Sequence, residues 1–225
     1  MPNQTRVIPR LYPILDAGSF ASTDAMLAAA QALVTAGCRL LQYRNKSGNG
    51  RVMLEQAREV RRLFPHSQTP QFSESPHSDG LGSSIRLIMN DRADLCLAAG
   101  FDGVHVGQDD LSPEAVRAII GLDRVLGVST HSSEQLHDAD LTSADYLAIG
   151  PVFATTSKEK PDPVVGLEGV RRARNLTKKP LVAIGGITRS NAASVIEAGA
   201  DSVAVISDLT GDPGKSAEEF FRILL

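Results

Sequence analysis

The chain alternates short apolar runs with Ala-rich amphipathic segments, and this alternation is repeated eight times. Eight apolar runs predict strands at 10–15, 39–43, 85–89, 102–106, 124–128, 144–149, 180–184 and 201–206. The segments between them predict helices near 22–36, 50–63, 91–99, 112–120, 131–139, 166–176, 189–198 and 213–224. Since strand and helix alternation is typical of parallel sheets, eight repeats predict an α/β fold, a (β/α)8 TIM barrel.

Glycines punctuate the repeats in a regular way. Gly37, Gly100 and Gly199 stand in the phrases TAGCRL, AAGFDG and EAGADS, each between a predicted helix and the next predicted strand. A glycine at this position closes a helix by adopting a left-handed conformation. The repeated unit therefore supports the barrel independently of any single predicted strand.

The length of 225 residues suits one barrel domain spanning 1–225, since such barrels have about 250 residues. Only the stretch 65–84 breaks the rhythm, with three Pro, two Gly and six Ser. This composition predicts a flexible surface insertion. It would lie at the amino ends of the strands, away from the end where barrel enzymes place their chemistry.

Composition excludes several classes of function. A net charge of −3 and 4% aromatic residues argue against a nucleic-acid surface. No apolar run approaches the roughly 18 residues of a membrane span, and the start MPNQTR does not resemble a secretory signal. Cys38 and Cys96 are too few for a disulfide framework, so we expect a cytoplasmic protein. From the charge and the apolar runs we expect neither nucleic-acid nor membrane partners.

Polar residues alternate at the end of the second predicted strand, in LLQYRNK. Gln42, Arg44 and Lys46 would point to one face because side chains of a strand alternate. Two cations and an amide suit a phosphorylated, planar ligand. An internal ion pair or a solvated strand end would explain the same pattern.

Two carboxylates follow the third and fourth predicted strands. Asp91 and Asp110 would meet at the carboxyl end of the barrel, where they suit a Mg²⁺ ion that also binds substrate phosphates and water. As an alternative, each aspartate could cap the helix that begins just after it.

Two further loops could bind an anion. Gly185 and Gly186 after the seventh strand, and Ser207 after the eighth, offer backbone N–H groups where many barrels bind a phosphate. A tight turn without a ligand is the alternative. We interpret His105 as a core or supporting histidine, while His131 could be a surface residue or a catalytic one.

Eight segments occur in the order and spacing of a known enzyme family: LYPILD, QYRNK, LIMNDRADLCLAAGFDGVHVGQDDL, LGVSTHS, ADYLAIGPVFATTSK, VVGLEGV, PLVAIGGI and AGADSVAVIS. On these segments the chain resembles the thiamine phosphate synthases, which are transferases of thiamine biosynthesis. The resemblance implies that a pyrimidine diphosphate ionises to a carbocation, which a thiazole phosphate captures with release of pyrophosphate.

The resemblance also implies roles for residues at matching positions. The pyrimidine diphosphate would contact Gln42, Arg44, Lys46, Asn90, Ser129 and Lys158, of which Arg44, Lys46, Ser129 and Lys158 would be catalytic. The thiazole phosphate would contact Thr155, Ser157, Gly186, Ile206 and Ser207. Mg²⁺ would be held by Asp91 and Asp110.

Two other interpretations compete with a synthase. A thiazole tautomerase-like barrel would keep the phosphate site and depend on His131, with less need for the diphosphate and metal groups. A barrel that only binds a phosphate ligand would release no pyrophosphate. The chain departs from the family's usual Thr-x-Thr-Lys at Ser157, which keeps a hydroxyl, and homo-oligomerisation stays open.

Overall fold

A computed structural model describes residues 8–65, 85–155 and 162–225. In these ranges, parallel strands pair in sequence order and β1 pairs with β8, so the sheet closes on itself. The strands are β1 Leu11–Asp16, β2 Leu40–Arg44, β3 Arg86–Asn90, β4 Gly103–Val106, β5 Val125–Thr130, β6 Tyr146–Ile149, β7 Leu181–Ile184 and β8 Ser202–Val205. The predicted TIM barrel is confirmed.

A helix follows each strand. The helices are α1 Thr23–Thr35, α2 Gly50–Leu63, α3 Ala93–Ala99, α4 Pro113–Ile120, α5 Ser133–Asp140, α6 Gly166–Leu176, α7 Ala192–Glu197 and α8 Pro213–Ile223. Gly37, Gly100 and Gly199 have positive φ angles of 114°, 69° and 110° where α1, α3 and α7 end. The predicted glycine punctuation is thus present in the backbone.

Some predicted boundaries were wrong. Strand β5 continues to Thr130 rather than stopping at 128, so Ser129 and Thr130 lie in the strand and not after it. Helix α7 begins only at Ala192, because Asn191 Oδ1 accepts the Thr188 N–H and holds residues 188–191 in a turn. The predicted insertion at 65–84 lies outside the described residues from 66 onwards.

The alternation of each strand divides the core into two layers. One lies between the sheet and the helices, and the other fills the barrel. The barrel interior contains Tyr12, Ile14, Leu40, Ile88, Val125, Tyr146, Ala148, Val182 and Ala204. No helix in the described ranges is long and apolar enough to cross a membrane.

Three ion pairs of one design close the amino end of the barrel, and we call them the amino-end clamps. In each, an Asp just before an even-numbered strand binds an Arg from an even-numbered helix and, with the same oxygen, a backbone N–H of the preceding strand. The clamps are Arg61–Asp102 with Leu87 N–H, Arg117–Asp145 with Leu126 N–H, and Arg174–Asp201 with Leu181 N–H, with Arg-to-Asp distances of 2.6, 2.8 and 2.7 Å. The helices are thereby fastened to the sheet.

Candidate active site

The predicted site residues of the described ranges collect at the carboxyl ends of the strands. Alternation along β2 turns Gln42 and Arg44 towards the barrel axis, in register with Ile14 and Asp16 of β1. Gln42 is buried, and its Nε2 donates to Tyr12 Oη at 2.9 Å. It therefore belongs to the barrel interior, beneath the charged groups.

Arg44 forms an internal ion pair, which is one of the alternatives to a ligand site that the sequence allows. Its Nη1 lies 2.6 Å from Asp16 Oδ2, and the two side chains are 20% and 14% exposed. Sequence reasoning missed Asp16, although the motif LYPILD ends on it at the exit of β1. The pair fixes the guanidinium at the rim of the barrel.

Lys46 lies beyond the end of β2 and reaches across to β3. Its Nζ lies 2.5 Å from Asp91 Oδ2, and its side chain is 54% exposed. A long side chain with this freedom can exchange one anionic partner for another.

Asp91 has an uncommon backbone conformation. Its φ is 62°, the one positive φ of a non-glycine residue in the ranges that the structure describes. Such conformations cost free energy and cluster at functional sites. The Asp91 N–H donates to His105 O at 2.8 Å, which ties the turn to β4.

Asp110 comes from the loop after β4 and faces Asp91. Its Oδ2 accepts the Gly107 N–H at 2.8 Å. Burial raises the pKa of Asp110, and the neighbouring Asp91 carboxylate raises it further. Two facing carboxylates repel each other when both are ionised, and a bound cation would relieve that repulsion.

The capping alternative for these aspartates is wrong. The N-cap of α3 is Arg92, which makes no side-chain capping bond. The N-cap of α4 is Ser112, whose side chain accepts the Ala115 N–H. Neither carboxylate therefore caps the helix that follows it.

The residues fit a magnesium ion that keeps most of its ligands outside the protein. The described ranges contain no cluster of three or more His, Cys, Asp or Glu side chains suited to a metal. A pair of carboxylates is nonetheless the usual protein share of a Mg²⁺ site completed by water and phosphate oxygens.

Asn90, at the end of β3, supplies an unmatched donor. Its Nδ2 is buried and has no hydrogen-bond partner within the described part of the chain. An unpaired buried donor is costly, so this position favours a ligand with an acceptor atom.

Below these groups, a chain of hydrogen bonds crosses the barrel. His105 Nδ1 lies 2.8 Å from Tyr146 Oη, and its Nε2 lies 2.8 Å from Ser129 Oγ. Tyr146 Oη in turn lies 2.9 Å from Tyr12 Oη. Burial lowers the pKa of His105 to about 4, and it raises the pKa of both tyrosines.

Sequence reasoning placed His105 in the core, where it is found, but missed both tyrosines. Their signal was a polar-tipped aromatic at an inward position of a strand, as at Tyr12 and Tyr146.

The loops after β6 and β7 approach each other closely. A Cβ on Gly186 would lie 2.5 Å from Ala154 O, and one on Gly185 would lie 2.5 Å from Pro151 Cβ. Both glycines also have positive φ, 97° at Gly185 and 64° at Gly186. The pair is therefore required by the backbone path, which brings Gly186 near the start of the segment that contains Thr155.

The loop after β8 is joined to the loop after β7 by side-chain bonds. Ile206 precedes a 3-10 turn at Ser207–Leu209. Arg189, after β7, binds Asp208 of this turn with its Nε at 3.0 Å, and it also pairs with Glu219 of α8. These bonds lock the two loops together. Ser157 and Lys158 lie outside the described residues.

His131 begins the loop after β5 and is held from two sides. Its Nδ1 lies 2.6 Å from Gly150 O, and its Nε2 lies 3.5 Å from Asp162 Oδ2. It connects the loops around the rim and is not a free surface side chain.

Comparison of the sequence with known proteins identifies a family. A family model described as thiamine monophosphate synthase matches residues 81–209. The thiamine-phosphate synthase of Koribacter versatilis is 54% identical over 96% of this chain and 96% of its own length. That of Chloroflexus aurantiacus is 41% identical over 88% of this chain and 83% of its own length.

Solved structures agree. The thiamine phosphate pyrophosphorylase from Pyrococcus furiosus superposes with a TM-score of 0.76 at 30% identity, covering 98% of this chain and 96% of its own. A 3-hexulose-6-phosphate synthase structure, at 16% identity and a TM-score of 0.66, shares the fold alone.

Proposed function

The chain belongs to the thiamine monophosphate synthase family, and on that premise we propose that it is a thiamine-phosphate synthase. It would join 4-amino-5-hydroxymethyl-2-methylpyrimidine diphosphate to 4-methyl-5-(2-phosphooxyethyl)thiazole. The products would be thiamine monophosphate and pyrophosphate. A cytoplasmic setting goes with this, supported by Cys38 and Cys96, which are both free and buried.

The carrying observation is the meeting of cations and carboxylates at one rim. Arg44 lies beside Asp16, and Lys46 lies beside Asp91, at distances of 2.6 and 2.5 Å. In the proposal these two cations bind the diphosphate, together with Lys158. Lys46, which is more than half exposed, would turn from Asp91 to the diphosphate once the substrate is bound.

Asp91 and Asp110 are proposed to hold Mg²⁺, which would neutralise charge on the departing pyrophosphate. The raised pKa of Asp110 and the left-handed backbone of Asp91 support a site built for a cation. Preplaced positive charge stabilises a dissociating leaving group more in the transition state than in the ground state.

The pyrimidine ring would lie over the barrel interior. Asn90 Nδ2 is the unmatched donor there, and Gln42 and Ser129 bound the same space from β2 and β5. Loss of the leaving group produces a carbocation that water would destroy, so exclusion of water protects the reaction.

The thiazole phosphate would bind on the side of the barrel formed by the loops after β6, β7 and β8. Gly186 and Ser207 offer backbone N–H groups, and Thr155, Ser157 and Ile206 line the same side in the proposal. The Arg189 bonds to Asp208 support it, because they keep the two phosphate-binding loops in a fixed relation.

A coupled pyrophosphate assay tests the proposal. The purified protein, with both substrates and Mg²⁺, is expected to release pyrophosphate and form thiamine monophosphate. Asp91→Asn should lower kcat/KM by about 10²-fold or more, while Asn tolerates the left-handed backbone at this position.

Asp94→Asn is the matched control, because Asp94 lies three residues further on, is 60% exposed and pairs with the neighbouring Arg92. Its turnover should equal that of the wild type. Binding of the thiazole phosphate without pyrophosphate release would refute the synthase and favour the tautomerase-like or ligand-binding barrel.

A further inference from the structure

Five side chains from five strands form one unbroken hydrogen-bond chain through the barrel. It runs from Gln42 to Tyr12, Tyr146, His105 and Ser129, with successive distances of 2.9, 2.9, 2.8 and 2.8 Å. All members except Ser129 are at most 7% exposed. The chain thus has one accessible end, at Ser129.

We propose that the Gln42 amide sets the direction of every hydrogen bond in this chain, which holds His105 as the Nε2–H tautomer and leaves the Ser129 hydroxyl hydrogen free to donate into the site. Gln42, Tyr12 and Tyr146 are then positioning residues that act through His105. That Ser129 donates to the pyrimidine diphosphate rests on the proposed function. The tautomer of His105 does not.

The direction follows from counting hydrogens. The Gln42 NH2 group can only donate, so Tyr12 Oη accepts from it and gives its one hydrogen to Tyr146 Oη. Tyr146 must then give its own hydrogen to the remaining neighbour, His105 Nδ1.

His105 completes the chain. A neutral imidazole that accepts at Nδ1 carries its hydrogen on Nε2, and Nε2 faces Ser129 Oγ. The serine oxygen therefore accepts from the ring. Its own hydrogen is left to donate elsewhere.

The same count requires the ring to be neutral. A doubly protonated ring would donate to Tyr146 Oη, which already accepts from Tyr12, and the Tyr146 hydrogen would lose its acceptor. Such a loss is costly for a buried group. The lowered pKa of His105, about 4, agrees with a neutral ring.

Gly127 gives a second, independent sign that the contact is built in. It pairs with His105 on one side and with Tyr146 on the other. A Cβ at Gly127 would lie 2.1 Å from Tyr146 Cζ and 2.5 Å from His105 Nδ1. Any larger residue would thus occupy the space in which the tyrosine meets the imidazole.

Nitrogen-15 NMR of histidine-labelled protein tests this without substrate or metal. The chain has five histidines, and the ring signal that is lost in His105→Gln is thereby assigned to His105. In the wild type, the His105 ring is expected to be protonated at Nε2 only. A ring protonated at Nδ1 would overturn the proposal, and so would a charged ring at neutral pH.

Gln42→Glu reverses the chain at its origin. Burial raises the pKa of a carboxyl, so the variant is measured at a pH high enough to ionise it. The carboxylate then only accepts, so Tyr12 would donate to it, each later bond would reverse, and the His105 hydrogen would move to Nδ1. The two nitrogen signals should exchange character. An unchanged tautomer in folded Gln42→Glu protein would overturn the role of Gln42, and where that variant does not fold the wild-type tautomer decides.

Gln108→Glu is the matched control. Gln108 Nε2 donates to Ser129 O at 2.6 Å and lies outside the chain, so the same charge change there should leave the tautomer as it is. Failure of pyrophosphate release would refute the proposed function and leave this result standing, while an Nδ1–H ring in an active synthase would refute this inference alone.

Discussion

The two ends of the barrel carry similar charged residues with different surroundings. At the amino end, each Asp of the amino-end clamps accepts an Arg and a backbone N–H. At the carboxyl end, Asp110 faces Asp91 and has a raised pKa, and Asn90 Nδ2 has no partner among the described residues. Similar side chains stabilise the fold at one end and leave binding capacity at the other.

An ion pair alone therefore does not distinguish structure from function. Arg117 and Arg44 are both mostly buried beside a carboxylate, at 2.8 and 2.6 Å. What differs is the neighbouring carboxylates: each clamp Asp also accepts a backbone N–H, whereas Asp110 at the carboxyl end faces a second carboxylate, Asp91. Even at the amino end the Nε atoms of Arg61 and Arg117 have no hydrogen-bond partner among the residues that the structure describes, yet each clamp aspartate binds a guanidinium.

The strongest way to break this comparison is to remove one cation from each end. Arg117→Met removes the guanidinium that binds the half-buried Asp145 and three backbone carbonyls, and it should lower the free energy of unfolding by about 3 kcal/mol. Chemical denaturation measures this. We expect kcat/KM of the folded protein to stay within a few-fold of the wild type.

Lys46→Met should behave in the opposite way. Lys46 is 54% exposed, so its loss should change stability by at most about 1 kcal/mol, whereas kcat/KM should fall by about 10²-fold. Comparable losses of stability and activity in both variants would mean that stability and activity are not separated between the two ends of the barrel.

The pH dependence of stability tests the carboxyl end separately, because the buried His105 lies beneath its charged groups and has a lowered pKa. The pKa of His105 falls from 6.5 to about 4 on folding, so the unfolded chain binds the proton first. Stability from this group is fully present above pH 6.5 and is lost as the pH falls towards about 4, by about 3 kcal/mol in all.

The measurement is the free energy of unfolding at several pH values for the wild type and for His105→Gln. The variant should have a shallower slope between pH 6.5 and 4. Equal slopes would show that His105 titrates alike in the folded and unfolded chains.

The smallest effect is expected at neither end. Arg51 and Glu55 form an exposed i,i+4 pair on α2, with side chains 88% and 59% exposed. Arg51→Ala should change the free energy of unfolding by at most about 0.5 kcal/mol and leave turnover unchanged. A larger loss would mean that the exposure of an ion pair does not predict how much it contributes to stability.

The sequence predicted what depends on local periodicity. Alternation placed Gln42 and Arg44 on one face, and the glycine units marked where helices hand over to strands. It did not predict Asp16 as the partner of Arg44, because that choice depends on the register of β1 against β2. The left-handed backbone at Asp91 likewise depends on its tertiary contact with β4.

The amino-end clamps were half visible. The phrases AAGFDG and EAGADS contain Asp102 and Asp201, but the arginines that bind these aspartates lie 41 and 27 residues earlier in the chain. The hydrogen-bond chain was harder still, since Tyr12 and Tyr146 are separated by 134 residues. Contacts across a barrel leave no local pattern in sequence.

The Tyr12–Tyr146 contact also gives the chain an optical reporter of its own. The protein has no Trp and three Tyr, and two of those tyrosines meet edge to face with ring centroids 6.0 Å apart. They come from β1 and β6, which the closed barrel joins through β7 and β8, so they meet once the last strands have closed onto the first. The part of the tyrosine emission that depends on this contact therefore reports barrel closure during refolding, separately from the helix formation that circular dichroism records.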